Sequence, residues 1–224
     1  MSLNPLERPV MNPHAQAISA EFAEISDINR EFLRILCHPA TLGLPELLGL
    51  SSPVIEVLHS LRPGQLQKIS CSPLLLADFQ VLPGEQAFVG VAEAGLPFAV
   101  SNVSWQQELN AFADRLLTFL WQATRRQSRV AGFSIGFDTR RADALSGLSF
   151  SRIGRSANQA AGCLQARLAK HPSFWRDLVG SAYSGEQQRQ VASQLSILQL
   201  SVNPRKMCVL PEPGPLYAAN GVNA

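Results

Sequence analysis

A long amphipathic segment followed by two short apolar-patterned ones occurs twice in this chain at a fixed spacing, and that repetition limits the available folds more than any other feature. At a shift of 87 residues Asp27 falls on Asp114, Phe32-Leu33 on Phe119-Leu120, Leu48-Gly49-Leu50 on Ile135-Gly136-Phe137 and Ser52 on Thr139. At the same shift Leu58 falls on Leu145, Leu61 on Leu148, Leu66 on Ile153 and Lys68 on Arg155. Past Ser70 the best match moves to a shift of 99, laying Pro73 on Pro172, Leu75 on Phe174, Asp78 on Asp177 and Phe79 on Leu178. That change implies a 12-residue insertion near Asn158 to Lys170. Any two amphipathic helices agree partly when slid past each other. Here caps, a glycine and apolar positions keep register together, which favours a duplication, and two copies are expected to pack as an intramolecular pseudo-dimer.

The elements follow from periodicity. Ile18, Phe22, Ile25, Ile28, Phe32 and Ile35/Leu36 recur at steps of three and four, predicting a helix from Asn12 to Cys37 that Pro39 terminates. Ser52-Pro53 and Pro63 open two short helices. Between Val81 and Ser104 the prolines and glycines break any helical period and leave room for short strands at Ala87 to Val91 and Phe98 to Val100. A second long helix is expected from Ser104, whose spacing to Gln107 makes a capping box, then short helices from Thr139 and Ser149, and a last one from Ser184 to Ser201. The predicted architecture is therefore all-α: an acidic helical repeat at residues 12–80, a short irregular or β linker at 81–103, a basic helical repeat with a C-terminal helix at 104–202, and a Pro-rich tail at 203–224.

Charge separates the two repeats where the total conceals it. The 224 residues carry a net charge of only +2. Up to Phe112 there are five basic against eleven acidic residues, and from Ala113 onward fourteen against six. The window from Arg125 to Arg176 holds ten basic residues and two acidic ones, Asp138 and Asp143, which suits a polyanion or an acidic partner. Charged residues make up only 16% of the chain, so the repeats are expected to bury apolar surface against each other or a partner. The apolar runs are too short for a membrane span. The N-terminus lacks an apolar signal core, giving the expectation of a cytoplasmic protein. Four scattered cysteines with no CxxC support neither zinc nor a disulfide framework, and no cofactor is expected.

The residues Ile25-Ser26-Asp27-Ile28-Asn29, then Leu48-Gly49-Leu50, Leu58, Leu61, Gln65-Leu66 and Lys68, resemble the FlhD family, a subunit of the flagellar master transcriptional regulator. The resemblance covers roughly Ile25 to Phe79, with a fainter echo in the second repeat. It implies an all-helical protein that pairs two copies of the unit and acts in bacterial transcription activation beside a zinc-carrying FlhC partner. FlhD itself is about half this length, so the resemblance implies that a tandem chain would supply both protomers. Nothing here matches the partner's cysteine quartet.

Candidate chemistry centres on Arg140, Arg141, Arg152 and Arg155, on two short helices around Gly147-Leu148-Ser149. A helix-turn-helix puts its second helix in the major groove with cations on the phosphates, so these four are the expected duplex-DNA contacts. The spacing from Gly147 to Ile153 fits that unit, whereas Asp143 stands where a small first-helix residue belongs. The competing reading makes the four arginines a solvated face, or partners of the acidic half. Arg125, Arg126 and Arg129 complement a helix C-terminus. Trp105, Trp121 and Trp175 could stack bases but read as core residues, and His38 and His171, each before a proline, read as a cap or a surface ring rather than a ligand. No catalytic constellation is present, so a non-enzymatic chain is expected. The alternative function is a protein–protein adaptor that never touches nucleic acid; homo-oligomerisation is compatible with either.

Overall fold

The computed structural model describes residues 13–80, 102–126, 136, 139–171 and 173–183. The linker strands, the helix from Ser184 and the Pro-rich tail lie outside the described residues, as does Asn12. Among the described residues the chain is mostly helical: α1 (Pro13–Leu36), α2 (Ser52–Ser60), α3 (Pro63–Ser70), α4 (Val103–Arg125), α5 (Thr139–Ser146), α6 (Phe150–Ala160) and α7 (Phe174–Tyr183). Four strands of two or three residues form two antiparallel pairs: β1 (Glu46–Leu47) with β2 (Leu50–Ser51), and β3 (Ala77–Phe79) with β4 (Leu164–Ala166). No described helix is long and apolar enough to cross a membrane.

Local chemistry sets the helix ends. Beyond α1, His38 Nδ1 accepts from Ala40 N at 3.1 Å, and Thr41 Oγ1 donates at 2.7 Å to Leu36 O, one of the carbonyls that the helix end leaves unpaired. His171 Nδ1 caps α7 in the same way, accepting from Phe174 N at 3.1 Å. The second long helix begins one residue earlier than expected, at Val103. Its cap is Asn102, whose Oδ1 accepts from Trp105 N at 3.0 Å, in place of a Ser104–Gln107 box. Pro63 occupies the first turn of α3, where a missing N–H costs nothing, and Gln65 Oε1 accepts from Arg62 N at 2.9 Å.

The β1–β2 hairpin turns on Leu48 and Gly49, at φ +50° and +85°. Both central residues of such a two-residue turn need positive φ, which glycine adopts freely and leucine does not. Leu48 is nevertheless buried in the core, and that burial offsets its strained backbone.

Helices α1 and α4 run in opposite senses through the centre. Residues 31, 32 and 34 of α1 meet residues 115, 112 and 108 of α4: Phe32 stacks on Phe112 with centroids 5.6 Å apart, Glu31 pairs with Arg115, and Arg34 lies 3.5 Å from Glu108. The ion pairs have exposed members and add little; the apolar seam holds the helices. Three tryptophans fix neighbouring elements through their indole N–H groups, Trp105 to Ile35 O (3.3 Å), Trp121 to Leu148 O (2.9 Å) and Trp175 to Arg167 O (2.8 Å). Trp105 and Trp175 are core residues as expected, and Trp121 is half-buried.

The strands depart from the sequence expectation. Segments aligned at a shift of 99 adopt different backbones, since residues 77–79 are a strand and residues 174–183 a helix. β3 and β4 instead lie 87 residues apart, the spacing that relates the helices. The extra helix α7 follows β4 and packs against α2 and α3.

Candidate nucleic-acid interface

Helices α5 and α6 are seated on α4 by apolar side chains on their inner faces. Leu145, Leu148 and Ile153 are buried, and both helices pack against α4. Between them, Gly147 N bonds Asp143 O and Leu148 N bonds Leu145 O, and Ser149 O then receives the first N–H groups of α6, from Arg152 and Ile153. Gly147 does not adopt positive φ, and a Cβ there would meet Asp143 O at an ordinary 3.4 Å, so the turn places no demand for glycine.

This packing divides the four predicted arginines. Arg140, Arg152 and Arg155 are exposed, with Arg155 Nε 3.4 Å from Ser151 O. Arg141 is turned inward: its Nη2 donates to Phe79 O at 2.6 Å, and its Nη1 lies 3.5 Å from Asp78 Oδ2. The exposed members of the predicted set are thus three, and Arg141 instead ties α5 to β3. Of the four predicted arginines, Arg141 is the one that the described residues show paired with the acidic half.

Asp78 anchors a small charged cluster. Its Oδ1 accepts from Phe79 N at 2.8 Å, and both Arg141 and Arg167 act on it electrostatically. Burial pushes the Arg167 guanidinium below its ordinary pKa, Asp78 opposes that shift, and Arg141 adds to it as a like charge. The Arg167 guanidinium also closes over Gly136, where a Cβ would overlap it. Two cations and one anion make a structural junction between the α5–α6 unit and the β3–β4 ladder.

An aromatic group borders α6. Phe150, 68% exposed at the first position of the helix, lies 5.9 Å from the Trp121 ring, and Arg125 covers that ring at 5.0 Å. Arg125 thus has an aromatic partner besides the helix C-terminus assigned to it from sequence.

Where α7 of the second half packs on α2 of the first, the two helices line a groove of about 450 Å3 bounded by Pro53, Val54, Val57, Val179 and Tyr183, with Arg176 also in its lining. Sequence reasoning missed this groove because α7 was not foreseen. It also missed the electrostatic interaction between Asp78 and Arg167, for which no local pattern exists. Among the described residues no group of histidines, cysteines and carboxylates could hold a metal ion. No family model, curated protein or solved structure matches the chain.

Proposed function

We propose that this chain is a cytoplasmic, non-enzymatic transcription regulator, a fused pair of FlhD-like units whose second unit contacts duplex DNA through Arg140, Arg152 and Arg155. One observation carries the reading: three exposed arginines stand on α5 and α6 with only Asp143 among the acidic residues of those helices. Arg140 lies in the first turn of α5 and Arg152 in that of α6. A cation there opposes the helix dipole, so helix stability does not account for these residues, and a polyanionic partner does.

The pseudo-dimer part of the proposal is supported by symmetry in the contacts. Gly49 and Gly136 share positive φ 87 residues apart. The β3–β4 register pairs Ala77 with Ala166 and Phe79 with Leu164, so each pair is the other with the copies exchanged, and Asp78 faces Gln165 at the centre. Phe32 and Phe119 are likewise equivalent at that spacing, as are Ile25 and Phe112. The Phe32–Phe112 stack therefore has its counterpart in Ile25 and Phe119, which line a common pocket.

The adaptor reading is favoured by the apolar α2–α7 groove, where Val57 and Tyr183 are exposed. Retention on duplex DNA decides between the two. The chain should be retained at about 50 mM salt and lose affinity steeply as salt rises, and the triple variant Arg140→Glu, Arg152→Glu, Arg155→Glu should not be retained. A wild-type chain that passes through freely refutes direct contact, and a protein partner held undiminished at high salt identifies the adaptor.

A further inference from the structure

We propose that the chain reads DNA from one side only: the second half contacts a single non-palindromic element, while the matching face of the first half is closed to DNA. This rests on the DNA-contact reading above. Two copies related by a two-fold axis ordinarily present two equal readers to two inverted half-sites. Here the backbone repeats and the charge does not. At the 87-residue spacing Arg140, Arg152 and Arg155 correspond to Pro53, Gln65 and Lys68, so one of three cations survives in the first half. Arg62 and Lys68 there are balanced by Glu46 and Glu56, all four exposed.

Shape reinforces the difference. Pro53, the counterpart of Arg140, lines the apolar α2–α7 groove, and α7 lies against both α2 and α3. A phosphate backbone approaching that face meets Val57, Val179 and the Tyr183 ring, and Arg176, the cation in the groove lining, is paired with Asp177 at 3.7 Å. On the second half the same approach meets three exposed guanidinium groups. Charge complementarity therefore assigns duplex DNA to the second half alone.

The test combines site selection with salt titration on the full chain. From duplexes with a randomised core of about 30 base pairs, roughly three helical turns, the retained sequences should share one short element without its inverted repeat. Exchanging Arg62→Gln with Lys68→Gln should change affinity by less than about twofold. The triple exchange Arg140→Gln, Arg152→Gln, Arg155→Gln should cost at least about tenfold and reduce the salt slope by up to about 2.7, the value for three phosphate contacts. Inverted repeats about one turn apart, or a first-half variant as damaging as the second-half one, would overturn one-sided reading and leave DNA binding standing. Absence of wild-type retention at about 50 mM salt would overturn the DNA reading itself.

Discussion

Replacing Asn29 with alanine is expected to destabilise the chain by about 3–5 kcal/mol, a large part of the stability of an ordinary domain. The side chain is fully buried in α1 and serves the segment that leads from α3 to β3. Its Nδ2 donates towards Ser70 O (3.3 Å), Ser72 O (3.2 Å) and Leu74 O (2.9 Å), and its Oδ1 accepts from Leu76 N at 2.8 Å. Four backbone groups of an irregular segment thus depend on one amide. Removing it leaves buried donors and acceptors without partners, each costing about 1–3 kcal/mol, and opens a cavity besides. Thermal unfolding should move down by about 10 °C or more. Asn29→Leu, which installs the residue found 87 positions later at Leu116, should be nearly as damaging, because leucine fills space and pairs with nothing. A midpoint within about 2 °C of wild type for both variants would show that these bonds do not anchor the segment.

Asp78→Asn should cost about 2 kcal/mol through electrostatics alone. Asparagine preserves the shape and can keep the Phe79 N bond, but the charge facing Arg141 and Arg167 is gone. The Asp78 and Arg141 side chains are 17% and 23% exposed, so solvent softens the loss relative to a fully buried pair. The deficit should be partly recovered by Asp78→Asn with Arg141→Gln, which removes one of the two uncompensated cations. Urea unfolding of the wild type, both single variants and the double variant measures this. Strict additivity of the two single effects would mean that the cluster is not coupled.

The long helices were legible in the sequence because six or more apolar positions repeat at helical spacing over α1 and α4, a pattern that chance seldom sustains. The short strands were not. Ala77-Asp78-Phe79 is too brief to display alternation, and its pairing with residues 164–166 joins segments far apart in sequence, which no local pattern announces. The misplaced shift of 99 has the same origin, since Pro-x-Phe/Leu similarity was matched where three-residue strands left no signal. Helix α7 has buried residues at Phe174, Trp175, Leu178, Val179 and Ala182, but a shift of 99 lays Phe174 and Leu178 on Leu75 and Phe79, which hides their helical spacing. For the site, the cationic window identified the α5–α6 unit, but sequence spacing cannot say which of two adjacent arginines faces inward. Arg140 and Arg141 differ only by the rotation between successive helix positions, and packing against β3 decides between them.

The central claim is that the two halves meet in register about Asp78 and Gln165, and cross-linking at that ladder tests it most directly. Hydrogen bonds from Gln80 N to Cys163 O (2.8 Å) and from Arg167 N to Leu76 O (2.7 Å) leave Ala77 and Ala166 as a non-hydrogen-bonded cross-strand pair, close enough for a disulfide. In a chain whose four native cysteines have been replaced, Ala77→Cys with Ala166→Cys should oxidise readily to an intramolecular disulfide in the monomer, with both thiols lost. Thiols that stay free under mild oxidation, or a bridge that forms only between chains, would contradict the account.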